Sequence, residues 1–171
     1  YSTPAGMILL AERLDQVPRL QAALEAGNVG FENRAKKPMG GVATIFSLLP
    51  KDQPEKLAVL ADIRELLSKN TLKWLSPEQR KDALRMKPAA DLKAIGIADL
   101  PDKLARSFTD KDGVRGLIPS AAFGPLMSVW NGKDLIEFAS IVRDIELGPG
   151  ERIHTSGHAV IFADMISAVL K

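Results

Sequence analysis

The chain has 171 residues, 46% of them hydrophobic, 26% charged and 5% aromatic. That length suits one domain or two small ones, and the low aromatic content calls for a core of Leu, Ile, Val and Ala, which favours helices over a β-sandwich. With 23 basic and 21 acidic residues the net charge is only +2, and the absence of cysteine excludes disulfides, zinc–thiolate sites and thiol catalysis.

The charges are interspersed. The densest basic run, Arg34–Lys37, has no aromatic residue interleaved for base stacking, so a nucleic-acid partner is not expected. No apolar run approaches the ~20 residues that span a bilayer, and no secretory leader is visible. The chain begins at Tyr1 rather than Met.

In chain order, Ser2, Thr3 and Pro4 form a helix start, with a hydroxyl cap and a proline near the first helical position. Leu9, Leu10, Leu14 and Val17 follow at near-helical spacing. Pro18 should break or redirect this helix, and Gly27-Asn28 should end its second piece. Residues 29–41 are polar, basic and rich in Gly and Pro, and are read as a loop. Residues 42–49 form a short apolar run whose length and composition fit strand or helix, and helix is preferred because the run leads into a helical hairpin.

Asp52, Gln53, Pro54 and Glu55 read as a capped start with an acidic first turn. Leu57, Leu60, Ile63, Leu66 and Leu67 then make a stripe, Glu65 and Lys69 are an i,i+4 pair, and Asn70 closes the helix. Ser76-Pro77-Glu78-Gln79 is the strongest local signal: a capping box opening a helix over Pro77–Met86, ended by Pro88. A connector over 95–100 leads to a further helix after Pro101 that carries Leu104 and Phe108.

The stretch from Thr109 to Lys171 organises the rest. Asp110–Gly113 is a turn rich in Asp and Gly. Residues 114–123 read as a strand interrupted at Pro119. Asn131 caps a helix over 133–145 with Leu135, Phe138, Val142 and Ile145 as its stripe. Gly148-Pro149-Gly150 is a turn, 152–156 a short strand, and 159–170 an apolar helix that stops in mid-pattern. Together with the missing initiator Met, that ending suggests a segment cut from a longer protein. The expected class is α+β, with a mainly helical part over 1–108 and a β-α-β (split ferredoxin-like) part over 109–171.

Chemical motifs are sparse. His154 and His158 have the i,i+4 spacing that chelates metal on one helix, but Gly157 between them marks a strand–helix junction, and Asp164 would join them only by coincidence. No metal or cofactor is expected. Gly40-Gly41 lacks the Lys-Ser/Thr of a phosphate loop, and there is neither a dinucleotide fingerprint nor a nucleophile elbow. Ser156 near His158 counts for little, since triad partners meet in space. An enzyme is not expected. The apolar loop Phe123, Leu126, Met127, Val129, Trp130 has two readings, a lid on the core or an adaptable apolar surface. Trp74, between two helices, has the same two readings.

The hairpin KLAVLADIRELLSKNTLKWLSPEQRKDAL, the phrase ADLPDKLARSFTDKDGVRG, the helix NGKDLIEFASIVRDI and the closing GHAVIFADMISAVLK resemble the large periplasmic loop of RND-superfamily transporters, in the MMPL and hopanoid-exporter branch. The resemblance covers about Leu57–Lys171 and rests on order and phrasing, not on catalytic motifs. It implies a porter-like fold and a periplasmic location in a bacterial inner-membrane protein. The segment with KDG would begin a porter strand, and the last helix would lead into the membrane. It further implies a hydrophobic cargo such as a sterol or hopanoid, or else docking of a periplasmic carrier protein. The chain lacks transmembrane helices and intramembrane carboxylates, so it would recognise cargo rather than pump it. The expected site is a cleft between the two parts lined by Phe46, Leu49, Trp74, Phe123, Met127 and Trp130.

Overall fold

The computed structural model describes residues 6–29, 31 and 36–169. The expected cap at Ser2, Thr3 and Pro4 lies outside them. The chain forms two compact units: residues 1–48 with 101–171, and residues 49–100. This division differs from the expected boundary at 108/109. The first unit is discontinuous because strands from both ends of the chain share one sheet.

That sheet is three-stranded and antiparallel, in the order β1 (Gly6–Ile8), β3 (Ser120–Phe123), β2 (Met39–Ala43). Gly6 pairs with Ala122, and Met39 pairs with Phe123. The segment read as a helix around Leu9 is therefore extended. Met7, Leu9 and Ala11 are buried while Ile8 and Leu10 face solvent, a period-two pattern hidden in the sequence because the outward residues are also apolar. Pro18 does not break a helix. It sits in the first turn of α1 (Gln16–Ala26), where a missing N–H costs nothing, and Gly27 closes the helix as expected.

Residues 42–49 are not an α-helix. β2 runs through Ala43, and a 3-10 turn over Ile45–Leu48 follows. Buried Thr44 fixes this junction, its N–H donating to Ser47 Oγ and its hydroxyl to Gln21 Oε1. Of residues 114–123, only Ser120–Phe123 is strand. Gly113 and Gly116 adopt positive φ, which bends the preceding segment.

Asn131 caps α6 (Gly132–Val142), its Oδ1 accepting from Lys133 N–H at 3.0 Å. The helix ends three residues earlier than its stripe suggested. Thr155 donates its N–H to the Arg143 carbonyl at 2.8 Å and its hydroxyl to the Val142 carbonyl, which captures the last turn. Ile145 is still buried, but from β4 (Asp144–Gly148), which forms a hairpin with β5 (Glu151–His154) across Pro149 and Gly150. α7 (His158–Val169) follows and packs on α6. The fold is α+β with two small antiparallel sheets. The two strands expected on either side of α6, found as β3 and β5, lie in different sheets and do not pair with each other.

One core joins these elements. The inner face of the sheet contributes Met7, Leu9, Met39, Ala121 and Phe123, α1 adds Leu20 and Leu24, and α6 adds Leu135, Phe138, Ala139 and Val142. Ile145 and Leu147 of β4 and Val160 and Ala163 of α7 complete it. Glu151 fastens the hairpin to the N-terminal half. It accepts from Arg13 (3.1 Å), Gln16 (2.9 Å) and Arg19 (2.5 Å). These hydrogen bonds, from Gln16 first and then Arg19, hold its carboxyl below the ordinary range.

The second unit contains α2 (Gln53–Leu66), α3 (Lys69–Leu72) and α4 (Pro77–Met86). The Ser76–Gln79 capping box forms as expected, each side chain accepting from the other residue's backbone N–H. Asp52 does not cap α2: it adopts a left-handed conformation and its side chain makes no capping bond. α2 also ends before Asn70, at Leu66. Gln53 clasps Ile95, donating to its carbonyl and accepting from its N–H at 3.0 and 2.7 Å. Neither α2 nor α4 buries a side chain fully, so the leucine stripe of α2 is only partly covered.

Short helices over Asp102–Ala105 (α5) and a 3-10 turn over Arg106–Phe108 return the chain to the first unit.

Candidate functional site

A cavity of about 520 Å³ lies in the first unit. Its walls are Phe123 from β3, Val129 and Trp130 from the following loop, Leu135 from α6, and Ala159, Phe162 and Ile166 from α7. The α7 residues share one face at three- and four-residue spacing. His158, the first residue of α7, is the one ionisable side chain in the lining.

Local bonding holds the loop that carries Trp130. Met127 N–H donates to the Gly124 carbonyl, Asn131 N–H to the Ser128 carbonyl, and Trp130 N–H to Ser128 Oγ. Asp134 anchors it from below. This buried carboxylate accepts from Ser128 N–H at 2.9 Å and pairs with Lys36 Nζ at 2.6 Å. Burial pushes the Asp134 carboxyl up, but the Lys36 ammonium and the Ser128 N–H outweigh it and hold it below its ordinary 3.8.

A carboxyl depressed in the folded state stabilises the fold fully above its unfolded value. That stabilisation fades as pH falls through the lower folded value. Acid titration of wild type and Asp134→Asn, followed by near-UV circular dichroism, is expected to show this. The variant, being neutral already, should lose less stability than wild type as pH drops below about 4. Equal acid sensitivity of the two proteins would remove Asp134 from the account of the loop.

Of the residues expected to line a site, the structure brings Phe123 and Trp130 together in this cavity. Met127 instead packs against the core, partly buried. Phe46 lies half-buried in the 3-10 turn after β2, outside the cavity lining. Leu49 and Trp74 belong to the second unit, where Trp74 is 90% exposed. The cavity that forms is thus built from the first unit alone, and neither Leu49 nor Trp74 contributes to it.

Sequence reasoning named Val129 in the apolar loop without placing it in the lining, and missed Leu135, His158, Ala159, Phe162 and Ile166 as site residues. The α7 residues were hidden because that helix is apolar on most of its circumference, so no one face stood out. Only Val160 and Ala163 are fully buried there, and Phe162 is half exposed.

His154 and His158 are separated by the end of β5. His154 Nδ1 lies 2.6 Å from Asp144 Oδ1 on the exposed hairpin, and Asp164 pairs with Arg143. Among the described residues no three His, Asp or Glu side chains converge as a metal site. No described helix is long and apolar enough to cross a membrane.

Comparisons with known protein families, with curated proteins and with solved structures find no match.

Proposed function

We propose that the chain binds a hydrophobic molecule in the cavity walled by Phe123, Trp130 and Phe162. It does so as the periplasmic cargo-recognition domain of an RND-type lipid transporter. The carrying observation is the lining: aromatic and aliphatic side chains with His158 as the single ionisable group. A volume of about 520 Å³ falls in the range of small-molecule sites. Desolvation of apolar surface, at about 25 cal/mol per Å², supplies the affinity. A rigid polycyclic lipid such as a sterol or hopanoid suits this, because it loses little conformational freedom on binding. The resemblance to RND-superfamily periplasmic loops supports the same reading, with an inner-membrane transporter as its proposed setting.

A second reading, docking of a periplasmic carrier protein, is favoured by one observation. Trp130 is 94% exposed and Leu126 beside it also faces solvent, so the apolar surface continues beyond the cavity.

Equilibrium titration with a sterol, a hopanoid and a plain phospholipid tests the first reading. Saturable binding of a polycyclic lipid, with phospholipid much weaker, is expected. Trp130→Ala and Phe162→Ala should each weaken it about tenfold, the loss of roughly 1.4 kcal/mol of apolar contact. Trp130→Ala, at an exposed position, should shift stability by no more than about 0.5 kcal/mol. If none of the three lipids binds, the docking reading replaces this one.

A further inference from the structure

β1 is an edge strand, and its outer edge is open. Leu9 and Ala11 donate their N–H groups to the Pro119 and Leu117 carbonyls, 2.9 Å each, which extends the pairing of β1 beyond Ile8. In an antiparallel ladder, alternate residues point their backbone groups away from the partner. Ile8 and Leu10 therefore direct N–H and C=O outward, and among the described residues nothing pairs with them. Their side chains are 71% and 69% exposed.

Natural edge strands are usually guarded by lysine, proline or a bulge. Residues 6–11 read Gly-Met-Ile-Leu-Leu-Ala and carry none of the three. Such an edge calls for another strand. The sequence also meets its own requirement under a two-fold axis. Antiparallel pairing centred on Leu9 sets Ile8 opposite Leu10 of the second copy, and Leu10 opposite its Ile8. These are the residues whose backbone groups point outward, so each opposed pair exchanges both hydrogen bonds. Ile8 and Leu10 then lie on the same outer face and bury each other, while Leu9 stays in its own core.

We propose that β1 is a self-association edge, at which a second copy of this chain adds its own β1 antiparallel. Each three-stranded sheet then becomes half of a continuous six-stranded one, an ordinary sheet size. An isologous contact of this kind closes on itself and stops at a dimer.

Sedimentation velocity of the full chain over a range of concentrations tests this. A monomer–dimer equilibrium is expected. Ile8→Pro removes only an outward N–H, since Ile8 makes no N–H bond to β3, and Leu10→Lys charges an exposed edge position. Each should raise the dissociation constant about tenfold or more, with far-UV circular dichroism unchanged. Should the proline variant misfold, the lysine variant decides, because it alters only an exposed side chain. A wild type that stays monomeric throughout overturns the proposal, as does a dimer indifferent to Leu10→Lys. Binding of a foreign apolar peptide strand to a monomeric chain would assign the edge to another partner and overturn it too.

Discussion

Phe138→Ala is expected to destabilise the first unit by about 4 kcal/mol, the usual cost of deleting a fully buried phenylalanine. Phe138 has no exposed surface and belongs to one core with side chains from the sheet, α1 and α7. Its ring stacks on Phe123, centroids 3.9 Å apart and planes inclined by 16°. An alanine there leaves a cavity that α6 and the sheet cannot both close. Urea denaturation measures the loss. Phe138→Leu is the control: it keeps most of the volume and should cost less than about 1.5 kcal/mol. Because Phe123 also forms a wall of the candidate site, Phe138→Ala should weaken the proposed lipid binding in the fraction that remains folded. A cost below about 1 kcal/mol would mean that the core is far looser than its burial implies.

Gly124→Ala is expected to cost about 3 kcal/mol for the opposite reason, overpacking. Gly124 follows β3 and donates its N–H to the Pro38 carbonyl at 3.0 Å. A Cβ at this position would run into the backbone carbonyl oxygen of Lys37 and crowd Met127 Cγ. Backbone cannot rotate aside as a side chain can. Either β2 retreats from β3, or the loop toward Trp130 shifts. Hydrogen exchange distinguishes the two. Lost protection around the Met39–Phe123 pair would mark the first, and an intact sheet with weakened ligand binding the second. A melting temperature equal to wild type would show that the close approach is relaxed in solution.

What could be read from sequence alone was what is local. The Ser76–Gln79 box, the Asn131 cap and the stripe Leu135, Phe138, Val142 all depend on residues within a turn or two of one another, and all three are found. Strands β1 and β2 were not read, because their partner β3 lies far along the chain and nothing local marks them as extended. The apolar Ile8 and Leu10 disguised the alternation of β1, and a Gly-Gly pair disguised β2. The end of α6 was misplaced because Ile145 fits a helical stripe and a strand alternation equally well. Thr155, which decides between them, is supplied from beyond the hairpin.

The candidate site divides along the same line. Phe123 and Trp130 stood out as aromatic residues flanking a connector. Their companions on α7 could be chosen only once the crossing of α6 and α7 had fixed which face of an apolar helix stays uncovered. Trp74 and Leu49 were grouped with them by chemical likeness alone.

The pairing of Gly6 with Ala122 has a consequence for how the protein is made. A ribosome releases β1, α1 and β2 long before the strand that lies between β1 and β2. The second unit, whose helices rest on nearby residues, can form while those first strands wait. The sheet then zips late, across a large entropic separation, and such non-local topologies fold slowly. During that interval the Gly-Met-Ile-Leu-Leu-Ala segment has neither of its edges satisfied. The nascent chain is most exposed to misassociation at the point where its mature form presents its open edge.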